Sequence, residues 1–391
     1  MPSATSSPPT SKTSNTFSEP DSKTTRKGNL SRLFWVIYSA MVFSTSMAIR
    51  GIQRKTASLK LGSISIRMHA FDIVESEIRS RLIPLLSSFS FVVAVSEFSE
   101  AFDLASKLSA QRGLPPSSLI WKAKSVLNLG SEKKLKQAIK MVDEFAQCMI
   151  KQRRVMGFSD KHDLLSRFMG TIDDDKYLRD IVVSFLLAGR DTVASGLTSF
   201  FWLLSRHPKV ESYIRYELEK VMSLSSLSTD EDQQSVTFDQ MREMHFLHAA
   251  LCESLRLFPP VQIDSKFVQN EDGLPDCTFV KKGTRVTYHP YAMGRMERVW
   301  GSDCLEFNPE RWLRNGRYIP ENPYKYPVFQ AGLRVCLGKE MALVEMKCVV
   351  LAIISRFNIR VTNPYQGPRF APGLTATVRG GLPVIVQQRG V

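Results

Sequence analysis

In the stretch FQAGLRVCLGKEMALVEMKCVVLAIISRF at 329–357, the first of two cysteines lies between two glycines. Gly332 and Gly338 flank Cys336, and the residues that follow have the apolar periodicity of a helix. Free N–H groups and the helix dipole lower the pKa of a thiol at a helix N-terminus. The glycines let a flat ligand approach the backbone. The segment therefore predicts a thiolate able to ligate a metal, although a lone cysteine is more often a small core residue.

Two further patterns carry charged side chains inside helical segments. Glu253 and Arg256 of ESLR lie three residues apart, so they share one helix face and can pair, although an isolated pair of this kind is usually solvated. Asp191 and Thr192 lie in AGRDT, near the middle of an apolar segment at 180–207. A lipid-facing helix disfavours a central ion pair, so this segment predicts the buried central helix of a large domain.

The elements that must position these residues are mostly helices. Apolar residues recur at i, i+3, i+4 and i+7 over 70–86, 132–154, 210–222 and 241–258, in addition to the central segment. Strand patterns are short and cover 277–280, 284–288 and 382–388. We therefore predict a mainly α single domain with a small β-sheet, from about residue 51 to residue 391.

Composition narrows the functional classes. The chain has 391 residues, 43% of them apolar, a net charge of +14 and a pI near 9.5. This charge suits an anionic membrane surface, an acidic protein or nucleic acid, but no Lys/Arg block is interleaved with aromatic residues, so we expect no nucleic-acid partner. The six cysteines form no Cys-x-x-Cys pair, which disfavours a disulfide scaffold and a zinc site and favours a reducing compartment.

The first fifty residues differ from the rest of the chain. Residues 1–29 are rich in Ser, Thr and Pro, which predicts a disordered leader. An uncharged run of 17 residues, 33–49, lies at the lower limit for crossing a bilayer, so 30–50 is a possible membrane anchor. A poor core helix, an unstructured leader and a plastid transit peptide remain alternatives for this segment.

The spacing Phe-x-x-Gly-x-Arg-x-Cys-x-Gly resembles the haem-binding loop of the cytochrome P450 monooxygenases. AGRDT resembles the oxygen-binding helix of that family, and ESLR and FNPERW (307–312) follow in the family's order. The resemblance covers about 51–391 and looks closest to the plant fatty-acid ω-hydroxylases and jasmonoyl-amino-acid hydroxylases. It implies a cytochrome P450-like fold, incomplete in its N-terminal half.

The resemblance also implies roles for individual residues. Cys336 would ligate the iron of haem b, Asp191 and Thr192 would relay protons to the oxygen, and Glu253, Arg256 and Arg311 would form a structural cluster. The other residues expected to contact the cofactor are Arg334, Phe329, Gly332, Gly338, Lys266, Arg54, Ala188 and Gly189. The residues expected to line the substrate pocket are Phe185, Ala188, Val261, Ile263 and Leu374.

The same resemblance implies the reaction and its partners. A fatty acid, or a carboxylate derived from one, would be hydroxylated at a terminal or near-terminal carbon with O2. Electrons would come from NADPH through a flavoprotein reductase, which would dock on a basic surface with Lys339 and Lys347 as candidates. The expected location is the cytosolic face of the endoplasmic reticulum membrane, with the plastid as the alternative.

The chain departs from the family pattern at several positions. Leu333, where Pro or Gly is common, and Cys277, where Gly is common, are mild departures. Arg50, which stands where the family has Trp, four residues before Arg54, argues for an alternative. The family's usual upstream segments have no counterpart in 1–49, and a block is expected to be missing near Phe91. The alternative is a truncated, non-catalytic product that keeps the proximal haem-binding half. A membrane-anchored interaction protein without haem is a third hypothesis.

Overall fold

The computed structural model describes residues 25–30, 64–87, 97–112, 119–157, 164–223, 236–371 and 373–389. The helices in these ranges are α1 Ile64–Glu77, α2 Ile83–Ser87, α3 Glu97–Gln111, α4 Leu119–Val126, α5 Gly130–Met156, α6 Leu164–Met169, α7 Asp175–Arg206, α8 Pro208–Ser223, α9 Phe238–Arg242, α10 His245–Leu257, α11 Pro290–Met293, α12 Glu297–Trp300 and α13 Lys339–Arg356. The strands are β1 Thr25–Asn29, β2 Asp264–Phe267, β3 Asp272–Gly273, β4 Phe279–Val280, β5 Arg285–Tyr288, β6 Leu313–Arg314, β7 Arg317–Tyr318, β8 Phe357–Val361, β9 Phe370–Ala371, β10 Thr377–Val378 and β11 Pro383–Gln388. The prediction of a mainly helical fold with little sheet is confirmed.

Helix α7 is the central element of the domain. It begins after Asp174, whose side chain accepts a hydrogen bond from the Lys176 N–H, and it runs for 32 residues. Among the described residues it is the one helix long and apolar enough to cross a membrane, but 67% of its apolar window is buried inside the protein. With Arg190 and Asp191 both buried near its middle, α7 is the core helix predicted from the sequence.

The predicted helix at 241–258 is wrong as a single helix, because the chain breaks between α9 and α10. Met244 leaves the helical conformation with φ −74° and ψ 77°. The carboxylate of Glu217 on α8 accepts hydrogen bonds from the N–H groups of Phe246 and Leu247, at 2.7 and 2.9 Å. These N–H groups lack a partner within their own helix, so a tertiary cap sets the start of α10.

Before α2, the chain contains a π-helical turn at Ile78–Leu82. The Ile83 N–H donates to the Ile78 carbonyl, five residues earlier. Pro84 has no N–H, so it cannot complete the α-helical bond to Ser80. The π-turn accommodates this loss within an otherwise continuous helical segment.

The largest sheet is antiparallel and has the order β1-β11-β8. Residues 25–29 pair with 383–387, and the following Leu30 is fully buried in the main apolar cluster. These five residues belong to the segment predicted to be a disordered leader, and that prediction does not hold for them. The predicted anchor segment 33–49, the Arg50 and Arg54 positions and the junction near Phe91 lie outside the described residues.

Candidate functional site

Cys336 lies in a tight loop that leads into α13. A 3-10 turn covers Gly332–Arg334, and the Cys336 N–H donates to the Phe329 carbonyl at 2.7 Å. Gly338 is the residue at which α13 is capped. The predicted placement of this cysteine at a helix N-terminus is therefore confirmed.

The backbone of this loop requires glycine at one position. Gly332 has φ +60°, and a Cβ there would approach the Tyr324 hydroxyl to 3.1 Å. Gly338 has φ −87°, which other residues adopt readily, and a Cβ there would stand at an ordinary contact distance of 3.9 Å from the Cys336 sulfur. Gln330 has φ 64° without being glycine, and the contacts of its side chain described below hold it in this strained conformation.

Burial raises the pKa of the Cys336 thiol above its usual value, and the N–H groups of Gly338 and Lys339 and the Lys339 charge oppose this shift only in part. The residue has an exposed surface, yet the surroundings of its sulfur are dense enough for desolvation to prevail. The predicted net lowering of this pKa is therefore wrong. A bound metal cation would supply the missing stabilisation of the thiolate.

The donor set around Cys336 fits haem better than a metal held by protein ligands alone. The described residues contain no group of three or more His, Cys, Asp or Glu side chains that could hold a metal ion. A single thiolate would suffice as the one protein ligand of an iron whose other donors come from a porphyrin.

A polar network fastens β2 and β5 to the cysteine loop. The Lys266 Nζ donates to the Gln330 Oε1 at 3.1 Å, and the Tyr288 hydroxyl donates to the Asp264 Oδ2 at 2.8 Å. The Gln330 amide also bonds to Asp264 and to Tyr288. The sequence patterns do not indicate Asp264, Tyr288 and Gln330; of these, only Tyr288 lies in a predicted strand, 284–288.

Of the three cations predicted to hold the cofactor's carboxylates, two lie at the Cys336 loop and the third lies outside the described residues. Lys266 is half exposed and adjacent to the loop. Arg334 is exposed within the loop's own 3-10 turn. Arg54 lies outside the described residues. The structure thus brings two of the three predicted cations to the edge of the candidate haem site.

Helix α7 approaches this loop through an apolar cluster just before its predicted oxygen-binding segment. Leu337, next to Cys336, packs against an apolar cluster that contains Phe185. Ala188 is exposed, Gly189 and Thr192 are partly exposed, and the Thr192 hydroxyl donates to the Ala188 carbonyl at 2.6 Å. Phe185 itself is only 2% exposed, so in this structure it is a core residue.

Asp191 belongs to a buried charged group that joins α7 to α3. The Arg190 Nη1 lies 2.6 Å from the Asp103 Oδ1 and 3.4 Å from the Asp191 Oδ1, and its Nη2 donates to the Ser99 hydroxyl at 2.5 Å. Burial raises the pKa of Asp191 to about 7, with Arg190 opposing the shift. Asp103 and Ser99 were not predicted, because only the folded chain brings α3 to α7.

The three segments predicted to form the substrate pocket meet. The Ser195 hydroxyl on α7 donates to the Ala376 carbonyl at 2.5 Å, and the Ala376 N–H donates to the Pro260 carbonyl at 2.8 Å. Val261 follows this turn and is partly buried, while Ile263 and Leu374 are 56% and 49% exposed. Apolar side chains left accessible where three segments converge suit an alkyl substrate.

Glu253, Arg256 and Arg311 form a buried cluster, as the family resemblance implies. Glu253 and Arg256 are both 0% exposed and pair at 2.7 Å, while the Arg311 Nε lies 3.3 Å from Glu253. Glu253 also accepts hydrogen bonds from the Asn308 N–H and the Trp312 indole. Arg256 donates to three backbone carbonyls, those of Gly294, Cys304 and Glu306. These contacts tie α10 to the 294–312 segment and leave the cluster away from solvent.

Lys347, one of the two lysines expected to contact the reductase, is buried, so that expectation is wrong for this residue. Lys347 is buried at 5% exposure, and its Nζ donates to the Met241 carbonyl at 3.0 Å. Burial lowers its pKa to about 8, and Glu217 opposes the shift. Lys347 is therefore a core residue that holds α9 against α13, and only Lys339 is accessible enough to contact a partner.

A helical fold built around α7, with one thiol loop at the start of α13, defines a candidate haem-thiolate protein. The cytochrome P450 family profile matches residues 92–379, which is well over half of the chain. The chain therefore belongs to the cytochrome P450 family and is a cytochrome P450 monooxygenase, an oxidoreductase that incorporates oxygen. A haem-thiolate iron is the cofactor that this family implies.

Two plant relatives are the most informative. Cytochrome P450 94C1 of Arabidopsis thaliana is 55% identical over 376 residues, which cover 86% of this chain and 75% of the relative. Cytochrome P450 94A1 of Vicia sativa is 39% identical over 393 residues, covering 89% of this chain and 74% of the relative. The predicted resemblance to a particular plant group of this family is confirmed.

Solved structures confirm the fold. Retinoic acid-bound cyanobacterial CYP120A1 has a TM-score of 0.62 at 20% identity, covering 92% of this chain and 78% of that one. A mutant heme domain of cytochrome P450DA has the same TM-score at 19% identity. At such identities the likeness concerns the fold alone.

Proposed function

We propose that this protein hydroxylates an unactivated C–H bond, terminal or near-terminal, in a fatty acid or a carboxylate derived from one. The observation that carries this proposal is the Cys336 thiol, held in a glycine-containing loop at the start of α13, where the adjacent Leu337 packs against the apolar cluster that contains Phe185 of α7. Haem b, when bound, would supply the activation of O2. The reducing equivalents would come from NADPH through a flavoprotein reductase.

This chain's own residues would hold the cofactor and position the substrate. Cys336 would be the iron ligand, with Lys266 and Arg334 near the cofactor's carboxylates and Gly332 and Gly338 leaving room for its plane. Val261, Ile263 and Leu374 would contact the alkyl chain and exclude water from the carbon to be oxidised. The plant group that the chain resembles acts on amphiphiles of this kind, which supports the choice of substrate class.

Asp191 and Thr192 would handle protons. A carboxyl with a pKa near 7 can both accept and donate a proton at physiological pH. The Thr192 hydroxyl uses its hydrogen in the bond to Ala188, so its oxygen remains an acceptor for a water molecule. We expect Thr192→Ala to bind substrate while yielding less product per NADPH consumed, whereas a merely structural Thr192 would leave that ratio unchanged.

The haem assignment is tested by reducing the purified protein under carbon monoxide. A red-shifted Soret band is expected in the parent chain and its loss in Cys336→Ser, with Cys148→Ser as a control because Cys148 is an exposed cysteine on α5. Persistence of the band in Cys336→Ser would refute the assignment. Haem uptake without product from a long-chain fatty acid or a jasmonoyl conjugate would support the non-catalytic alternative instead.

We propose that the protein contacts the endoplasmic reticulum membrane peripherally rather than through residues 33–49. A single crossing by 33–49 would place residue 29 and residue 51 on opposite sides of the bilayer. Strand β1, before residue 30, pairs with β11 of the domain that follows residue 51. Both strands must then lie on the same side of the bilayer, which a single crossing between them does not allow. The plastid remains the alternative location.

The region around α4 is the surface suited to such a contact. Leu119, Val126 and Leu127 are 72%, 86% and 64% exposed, and Lys122 and Lys124 lie among them. Exposed apolar side chains flanked by lysines favour an anionic bilayer surface. Alkaline carbonate should release the protein from microsomes, and Val126→Ser with Leu127→Ser should weaken vesicle binding. Resistance to carbonate would contradict the proposal.

A further inference from the structure

A cleft of about 620 Å³ opens at the opposite end of α13 from the Cys336 loop. Its walls are α1 with the π-turn, α8, the C-terminal part of α13 and the residues that end β11. This volume falls within the range of small-molecule sites, about 300–1,000 Å³. Cys336 and the predicted pocket residues do not line it.

The floor of the cleft is apolar. Met241, Ile354 and Phe357 are 1–2% exposed, and Ile78 and Leu351 are 4% and 5% exposed. Ile83, Met222 and Val236 in the same lining are only partly buried, so an alkyl chain laid over them would remove apolar area from water.

The rim of the cleft carries an excess of positive charge. The lining includes Arg79, Arg215, Arg356 and Arg389 but only two carboxylates, Glu75 and Glu219. Arg79 pairs with Glu75 at 2.7 Å, and the Arg215 Nε donates at 3.0 Å to Glu211, which lies outside the cleft.

Two of these arginines have no ion-pair partner among the described residues. Arg356 donates to the Ser355 hydroxyl at 3.2 Å, and Arg389 makes one long contact of 3.4 Å to the Ile354 carbonyl. Burial lowers the pKa of Arg356 and the charge of Arg79 lowers it further, while Glu75 opposes the shift. An anion beside Arg356 would offset both the desolvation of its guanidinium and the repulsion from Arg79.

The π-turn contributes directly to the cleft wall. Ile78 and Arg79 lie in the turn, and Ile83 follows it, so one irregular segment supplies both floor and rim. Arg81, in the same turn, does not line the cleft and pairs with Glu77. Turns of this kind are frequent at functional sites.

We propose that this cleft is a second, non-catalytic binding site for an amphiphilic carboxylate such as a long-chain fatty acid. The carboxylate lies between Arg356 and Arg389, and the alkyl chain lies on the floor formed by α1, α8 and α13. The inference depends on the cleft alone and not on haem binding or turnover.

The competing occupant is the chain's own segment 224–235. Its neighbours Met222 and Val236 both line the cleft, and it contains Asp230, Glu231 and Asp232. Neutralising these three residues distinguishes the two occupants.

The test is photolabelling of the full chain with palmitate that carries a diazirine on its alkyl chain, followed by peptide mapping. Labels are expected in 78–83, 215–222 and 348–357, separate from any in α7 or 260–263. Arg356→Gln with Arg389→Gln should reduce labelling of the cleft at least about tenfold, since hydrogen bonds to charged groups are strong. Arg81→Gln with Arg314→Gln makes the same charge change outside the cleft and should leave labelling unchanged.

A second probe and a third variant complete the test. The corresponding diazirine alcohol should label the cleft much less than the acid. No cleft label from the acid, or equal labelling after loss of Arg356 and Arg389, would overturn the proposal. Labelling that occurs only in the triple variant Asp230→Asn, Glu231→Gln and Asp232→Asn would also overturn the proposal, because the acidic segment of the parent chain would then be the occupant of the cleft. Photolabelling requires no turnover, so its failure is distinct from failure of the proposed monooxygenase activity.

Discussion

Replacement of Glu253 should remove most of the stability of the domain. Glu253→Ala leaves the guanidinium of Arg256, which is 0% exposed, without its counter-charge. Breaking a buried pair in this way costs about 3–5 kcal/mol. The Asn308 N–H and the Trp312 indole N–H also lose their acceptor, at about 1–3 kcal/mol each. The total approaches the whole stability of many domains, about 5–15 kcal/mol.

Urea unfolding followed by tryptophan fluorescence measures this loss, because Trp300 and Trp312 lie in or beside the cluster. Glu243→Ala is the matched control, since its side chain is 69% exposed and its loss should change stability by less than about 0.5 kcal/mol. If Glu253→Ala unfolds at the same urea concentration as Glu243→Ala, the structural role is refuted.

A double-mutant cycle separates the pair from the rest of the cluster. Glu253→Gln and Arg256→Met should each be strongly destabilising, because each leaves a buried polar partner uncompensated. The double variant should lose less than the two single losses added together, with a coupling of about 0.5–3 kcal/mol. Strict additivity would show that the two side chains do not depend on each other.

Three further outcomes follow from particular residues. Cys277 has φ 66°, a conformation that glycine adopts more easily, so Cys277→Gly should stabilise the protein by about 1 kcal/mol in urea unfolding. Cys148→Gly, within α5, should instead destabilise it. A loss of stability in Cys277→Gly would contradict the backbone argument. A Cβ at Gly294 would lie 2.3 Å from the Arg256 carbonyl oxygen, so Gly294→Ala should lower stability by roughly 1–3 kcal/mol. An unchanged urea midpoint would mean that the segment moves freely enough to avoid this clash. The pKa of Asp191 is raised to about 7, so the native state holds its proton at pH 5 and loses it by pH 8, and this residue's contribution to stability falls as the pH rises. The difference in thermal midpoint between Asp191→Asn and the parent should therefore shift in favour of the variant from pH 5 to pH 8. Asp239 is 90% exposed, and Asp239→Asn should show no such trend.

Motifs with local spacing were the most predictable part of the site. The loop around Cys336, the Glu253–Arg256 pair and the buried central helix depend on residues close in sequence, and the structure places all of them as expected. The same is true of the strands at 285–288 and 383–388, whose alternating or apolar runs are bounded by glycine or proline.

Properties set by distant partners were not predictable. The break before α10 depends on Glu217 from another helix. The thiol pKa depends on how densely the loop is surrounded, which outweighs the helix N-terminus. Lys347 looks like a surface residue in a helix pattern, but α9 covers it. In each case the deciding contact joins residues that periodicity cannot relate.

The pairing of β1 with β11 also constrains how the chain is made. Thr25 is paired with Gln387, so about 360 residues of sequence separate the two partners (387 minus 25). At roughly 5–20 residues per second, a ribosome adds that length in about 18–70 s. Throughout that time β1 has no strand to pair with, and a bare strand edge beside an apolar run can associate with other chains. This pairing has the largest sequence separation among the described strand pairs, so the sheet is completed only after β11 has been made, and until then the segment around β1 is a natural substrate for chaperones.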